Sequence, residues 1–184
     1  MEPITELKNE HQGVETMLGI IENVAGQFAQ GRDINAKDLD AMVEFLTVFV
    51  DRCHHGKEED FLFPALEAAG VPRDQGPIGV LLQEHEQGRG LVAELRDAAK
   101  DFTPGDKAAG KTVEKTALDY VDLLGSHIEK EESLLFPMAA EMLGPDKQAE
   151  LSEAFEKLEE ERIGPGKHEE FHRLLHRLKQ VYTD

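Results

Sequence analysis

His54-His55-Gly56-Lys57-Glu58-Glu59-Asp60-Phe61-Leu62-Phe63-Pro64 returns 73 positions later as His127-Ile128-Glu129-Lys130-Glu131-Glu132-Ser133-Leu134-Leu135-Phe136-Pro137. Both stretches carry His-x-x-x-Glu, the run Lys-Glu-Glu and a closing Phe-Pro step. On a helix this spacing sets each histidine and its glutamate on one face, one turn apart. Upstream, Ile4, Leu7, His11, Val14, Leu18, Ile21, Ala25 and Phe28 follow steps of three and four residues, the stripe of an amphipathic helix. A shift of 74 positions turns that stripe into Ile78, Leu81, His85, Gly88, Val92, Leu95, Ala99 and Phe102. The chain therefore reads as a duplication, 1–73 and 75–143. Each copy holds one histidine in a first helix and a His-x-x-x-Glu pair in a second.

The punctuation between these helices is local. Gly31-Arg32-Asp33 ends the first, and Asn35 is placed to cap the second, whose apolar face includes Leu39, Val43, Leu46, Val50 and Phe61. Gly70-Val71-Pro72 and Thr103-Pro104-Gly105 precede the third and fourth helices, and the fourth carries Leu123, His127, Glu131 and Leu134. Pro64 and Pro137 are expected to kink or end their helices. After Gly144-Pro145, two shorter helices are predicted over about 147–162 and 167–182, split by Gly164-Pro165-Gly166. Short connections between long helices predict an all-α fold: an antiparallel up-down four-helix bundle over 1–143, with a C-terminal helical pair, 144–184, packed on it. His11 and His54 both lie roughly 28 Å along their helices from the turn that joins them. His85 and His127 behave alike, so four histidines should converge at one level.

A chain of 184 residues suffices for one domain with a real core. A formal net charge of −18 repels phosphate backbones and anionic membranes, which argues against nucleic-acid and membrane partners. The single cysteine, Cys53, excludes an internal disulfide framework. Met1-Glu2-Pro3-Ile4 lacks the basic and apolar regions of a signal peptide, and no apolar run approaches a membrane span, so a cytoplasmic setting is expected.

Four imidazoles and two carboxylates in a two-fold repeat suggest a site for two metal ions. His11, His54, His85 and His127 would each bind one ion, and Glu58 and Glu131 would reach between the two. Mixed nitrogen and oxygen donors suit iron or manganese, and zinc accepts them as well. The competing reading is four core histidines with hydrogen-bond partners and two ordinary helix ion pairs.

With these residues in view, the chain resembles the hemerythrin-like, HHE cation-binding family. The resemblance rests on His11, His54-x-x-x-Glu58, His85, His127-x-x-x-Glu131 and the Phe63-Pro64 and Phe136-Pro137 steps, and covers about residues 4–143. It implies a bundle holding a non-haem di-iron centre of the Fe–O–Fe type, ligated by those six residues. It also implies a small oxidant (dioxygen, peroxide or nitric oxide) as ligand or substrate, with a redox partner the sequence does not identify. Members carry or sense dioxygen, handle nitric oxide or peroxide, sense iron, or help repair iron centres. Oxygen carriers of the family use a fifth histidine, four positions on in the third helix; here that position is Arg89, which argues against simple carriage. The expected role is binding or reducing the oxidant. The alternatives are a sensor, an iron-storage or repair protein without turnover, and a structural bundle with incidental metal.

Several neighbours compete for roles. His55 and Glu59 repeat the four-residue spacing but point about 100° away on an α-helix, which favours an outer-layer or surface position. Glu15, one turn after His11, is a candidate additional ligand, although a helix-face carboxylate is the plainer reading. Tyr120 and Cys53 read as packed helix residues. The last helix contains His168-Glu169-Glu170-Phe171-His172, which matches the zinc-peptidase pattern H-E-x-x-H. No third ligand accompanies it, and a helix packing through Phe171, Leu174, Leu175 and Leu178 explains it more simply. A third expectation is that His168 or His172 folds back to supply the missing fifth histidine.

Overall fold

The computed structural model describes residues 2–32, 34–103 and 105–183, so the breaks expected at Asp33 and Pro104 lie outside the described residues. Helix α1 spans Pro3–Ala29. It closes through Gly31, at φ 70°, whose N–H donates to the Phe28 carbonyl while Arg32 N–H donates to Gln27. Glycine takes this left-handed conformation without a Cβ clash. Helix α2 covers residues 36–68 and starts where expected, with the Asn35 side chain accepting from Lys37 N–H at 3.0 Å. Helix α3 is Pro77–Asp101. Helix α4 covers 107–142, its first turn capped by Asp106, which accepts from the N–H groups of Ala108 and Ala109.

Two of these helices are not α-helical throughout. In α2 the segments Leu46–His55 and Glu58–Leu62 are π-helical, and in α4 so is Glu131–Leu135. The α form resumes at Phe63–Ala68 and Phe136–Met142. This corrects the expectation that the prolines could end their helices. Pro64 and Pro137 stand in the first turn of the resumed α segments, where a missing N–H is tolerated, and neither ends its helix.

Side-chain pairs give the directions. Gly13 faces Phe49 while Glu6 meets Lys57, so α1 and α2 run antiparallel. Thr47 meets Arg96 and Glu59 meets His85 between α2 and α3. Gly88 faces Tyr120 and Glu84 meets Lys130 between α3 and α4, and Phe28 faces Gly110 while His11 meets Glu131 between α1 and α4. The result is the up-down-up-down bundle.

The apolar interior falls into two clusters. One, built on residues such as Met17, Phe45, Leu46 and Tyr120, fills the end near the α1–α2 turn. The other, with Leu7, Leu62, Phe63, Leu135 and Phe136, fills the opposite end. The buried histidines and glutamates lie between them. Helix α5, Pro145–Arg162, joins the second cluster through Leu151 and Phe155. Helix α6, Lys167–Tyr182, lies along α1 and α2 and joins the first through Phe171, Leu175, Leu178 and Tyr182. Its hydroxyl end is pinned where Tyr182 donates to Asp38 at 2.7 Å. No helix among the described residues is long and apolar enough to cross a membrane.

Candidate metal centre

All six sequence-derived candidates are brought together and fully buried. His11 Nε2 lies 3.0 Å from His54 Nε2, and His85 Nε2 lies 3.1 Å from His127 Nε2. The two glutamates run between these pairs. Glu58 presents Oε1 to His54 at 3.7 Å and Oε2 to His85 at 3.4 Å. Glu131 presents Oε1 to His127 at 3.1 Å and Oε2 to His11 at 3.2 Å. Donor atoms of His11, His54, Glu58 and Glu131 fall within 4.8 Å of one another, and so do those of Glu58, His85, His127 and Glu131. Each carboxylate thus spans two histidine pairs with separate oxygens.

The donor chemistry fits a pair of cations. All four glutamate oxygens are buried and accept no hydrogen bond from the described residues. Uncompensated carboxylates in such a place are costly. Each histidine also directs its Nδ1 at a second carboxylate. His54 pairs with Glu10 at 2.8 Å, His11 with Glu132 at 3.0 Å, His85 with Glu59 at 2.8 Å and His127 with Glu84 at 3.0 Å. A carboxylate behind the imidazole fixes the tautomer and leaves the Nε2 lone pair free. Two such lone pairs 3.0 Å apart require a proton or a cation between them. Nitrogens each about 2.1 Å from one ion and 3.0 Å apart subtend about 90° at it, an ordinary angle between adjacent ligands.

The outer carboxylates obey the repeat: Glu10 corresponds to Glu84, and Glu59 to Glu132. Lys57 and Lys130 extend it, bonding Glu10 and Glu84 respectively. The sequence reading placed Glu59 here as one of two options but missed Glu10, Glu84 and Glu132. The signal was present, since a glutamate precedes both His11 and His85. The Phe-Pro steps also gain a purpose. Phe136 stacks on His11 and Phe63 on His85, with ring centroids 5.3 and 5.8 Å apart.

Electrostatics follow from this layout. Burial alone would lower the His11 pKa, but the Glu131 carboxylate 3.2 Å from its Nε2 raises it to about 9. His85 is likewise raised to about 9 against its burial, by Glu58 and Glu59. Burial opposes ionisation of Glu131, yet the adjoining His127 charge and the close His11 hold it well below the usual range. Glu59, bonded by His85 and Arg89, is lowered to about 2 against its partial burial.

The remaining candidates are placed differently. His55, read as an outer or surface residue, is buried and stacks on His85 with centroids 3.8 Å apart. It stands at the end of the π-helical segment Leu46–His55, where the neighbouring helices cover both it and His54. Burial, followed by the positive neighbours His85 and His127, drives the His55 pKa well down. Glu15 is exposed. His172 is exposed, and His168 lies 3.4 Å from Glu159 and beside Phe49, so the structure does not bring either to the six. Glu10, Cys53, Glu159 and His168 form a separate cluster whose two carboxylates are bonded by the Lys57 ammonium. Arg89 bonds Asp51 and Glu59 on the outer side of the centre. Tyr120 is buried against Gly88, and Cys53 is fully buried with its thiol pKa pushed up by burial.

The model of the hemerythrin HHE cation binding domain matches residues 2–139. An uncharacterized protein of Mycobacterium tuberculosis is 25% identical over 165 residues, covering 88% of this chain and 64% of the relative. The iron–sulfur cluster repair protein YtfE of Salmonella typhimurium is 33% identical over 88 residues, 47% of this chain and 40% of that protein. Its counterpart in Escherichia coli O81 is 28% identical over 102 residues, 53% and 46% of the two chains. The chain therefore spans less than two thirds of the length of these relatives. No solved structure matches.

Proposed function

Because the chain belongs to the hemerythrin HHE cation binding domain family, we propose that it is a non-haem di-iron protein that binds or reduces a small oxidant. His11 and His54 would hold one ion, His85 and His127 the other, and Glu58 and Glu131 would bridge them. The observation that carries this reading is the pair of buried glutamates whose four oxygens accept no hydrogen bond among the described residues while each faces a histidine Nε2. Iron bound there would supply reversible electron transfer and room for a further small ligand. The chain's own contribution is to hold the donors apart in two pairs, fix the tautomers through Glu10, Glu59, Glu84 and Glu132, and exclude bulk water with two apolar clusters. A cavity of about 200 Å³ between α2, α3 and α4, lined by Leu46, Asp51, His55, Arg89 and Tyr120, is large enough to admit dioxygen, peroxide or nitric oxide.

Metal analysis joined to optical spectra of the reduced protein before and after air tests this directly. The expected result is close to two iron ions per chain and a spectrum that changes on exposure to oxidant. Protein that takes up no iron, or binds it without any response to oxygen, peroxide or nitric oxide, would overturn the reading. A second reading, repair of iron centres, is favoured by the similarity to the YtfE proteins. It predicts that the loaded protein delivers iron to a damaged iron–sulfur protein, measured as recovered cluster absorbance.

A further inference from the structure

We infer that Arg89 is a positioning residue for the ion held by His85 and His127: its guanidinium holds Glu59 on the Nδ1 of His85, through a clamp that only one of the two copies builds; this rests on the metal-binding reading above. The contact is made at a single oxygen. Glu59 Oε1 accepts from His85 Nδ1 at 2.8 Å and from Arg89 Nη1 at 2.9 Å. The same Arg89 nitrogen reaches Asp51 at 3.1 Å, and Arg89 Nε donates to Glu86 at 3.1 Å. Asp51 and Glu59 stand on α2 and Glu86 on α3, so the planar guanidinium is tied across both helices. Glu59 is 28% exposed, and water competes for its oxygens. Without the guanidinium, Asp51, Glu59 and Glu86 would face one another as like charges. Glu59 would then turn to water and leave the His85 N–H without its carboxylate. A ligating histidine that loses this partner loses the fixed tautomer and ring direction that present Nε2 to the ion.

The repeat shows that the clamp is no by-product of the fold. Glu132, the counterpart of Glu59, bonds His11 in the same way but is 43% exposed, and no lysine or arginine among the described residues meets it. The counterpart of Arg89 is the exposed Glu15, and that of Asp51 is Leu124. The other two outer carboxylates, Glu10 and Glu84, have a lysine in both copies. His85 therefore rests on a carboxylate anchored by a cation, and His11 on one open to water. Arg96, two turns further along α3, carries the same charge. It donates to the Thr47 hydroxyl and meets no carboxylate among the described residues, so it separates the effect of position from that of charge.

Zinc accepts the same donors and is diamagnetic, so proton NMR of the zinc-loaded protein reads the imidazole N–H groups directly. In the unaltered protein the His85 Nδ1–H should exchange with water more slowly than that of His11. Arg89→Leu should lose the His85 signal, keep that of His11, and weaken the binding of one of the two zinc ions by about 10–100-fold in a chelator competition. Arg89→Lys, which keeps a cation beside Glu59, should restore the His85 signal and part of the affinity. Arg96→Leu should change neither. Circular dichroism checks the fold of each variant. An unchanged His85 signal and unchanged zinc affinities in folded Arg89→Leu would overturn the inference. So would equal losses in Arg96→Leu, or equal exchange at His11 and His85 in the unaltered protein, and all three results would leave the metal-binding reading intact. An unaltered protein that binds neither zinc nor iron would instead defeat that reading and this inference with it.

Discussion

At the scale of single residues, the centre is a set of histidines that cannot be left as they are. Each has one nitrogen committed to a carboxylate and the other turned toward a second lone pair. His54→Ala or His127→Ala should therefore cost at least one ion per chain by metal analysis; full occupancy in both would remove these residues from the ligand set. The outer carboxylates matter through tautomer and basicity. Glu10→Gln and Glu84→Gln should each weaken metal affinity by about 10–100-fold in a chelator competition, with the fold retained. An unchanged affinity would reduce those contacts to packing. Protons compete for the same nitrogens. In the metal-free protein the His11 and His85 pKa values stand near 9, above the ordinary 6.5. Their imidazolium forms stabilise the native state fully below pH about 6.5, and that contribution is lost as pH rises through about 9. The denaturant midpoint of metal-free protein should fall across this window, and a midpoint that climbs there would contradict the assignment.

At the scale of elements, the π-helical segments carry part of the centre. His54, His55, Glu58 and Glu131 all lie in or at the start of such segments. The C-terminal pair acts through packing. Phe155 is fully buried in the second apolar cluster, and Phe155→Ala should cost about 3–5 kcal/mol of stability without changing metal content in the folded fraction. Deleting residues 164–184 would uncover Phe45 and Phe49, which Phe171 now meets. The thermal midpoint should drop while the spectrum of the loaded protein stays the same. A changed spectrum in a folded deletion would restore His168 or His172 as ligands.

At the scale of the whole molecule, a polar layer is held between two apolar clusters, so folding and metal binding are coupled. Native protein carries Glu58 and Glu131 in the interior at a cost that a cation offsets. Ions bind this arrangement and not the open chain, so they stabilise it by mass action. Verified metal removal should lower the thermal midpoint, and an unchanged midpoint would count against a buried centre. The same coupling explains why the bundle tolerates buried ionisable groups between its cores.

Much of this was legible in the chain. Periodicity and the 73–74-residue duplication specify the four helices, and one histidine or one His-x-x-x-Glu pair on each helix puts the six candidate donors at one height. These are local and repeated signals, and they depend only on helix geometry. The carboxylates at Glu10, Glu59, Glu84 and Glu132 reach histidines on other helices, so their roles depend on how the helices are set against one another. His55 shows the limit most clearly. On an ideal α-helix it points about 100° away from His54, yet the packed bundle buries both rings, their centroids 5.8 Å apart. Which faces of a helix are covered depends on how its neighbours pack against it, so sequence alone determined the helices and their donors while the tertiary structure decided which side chains close around the centre.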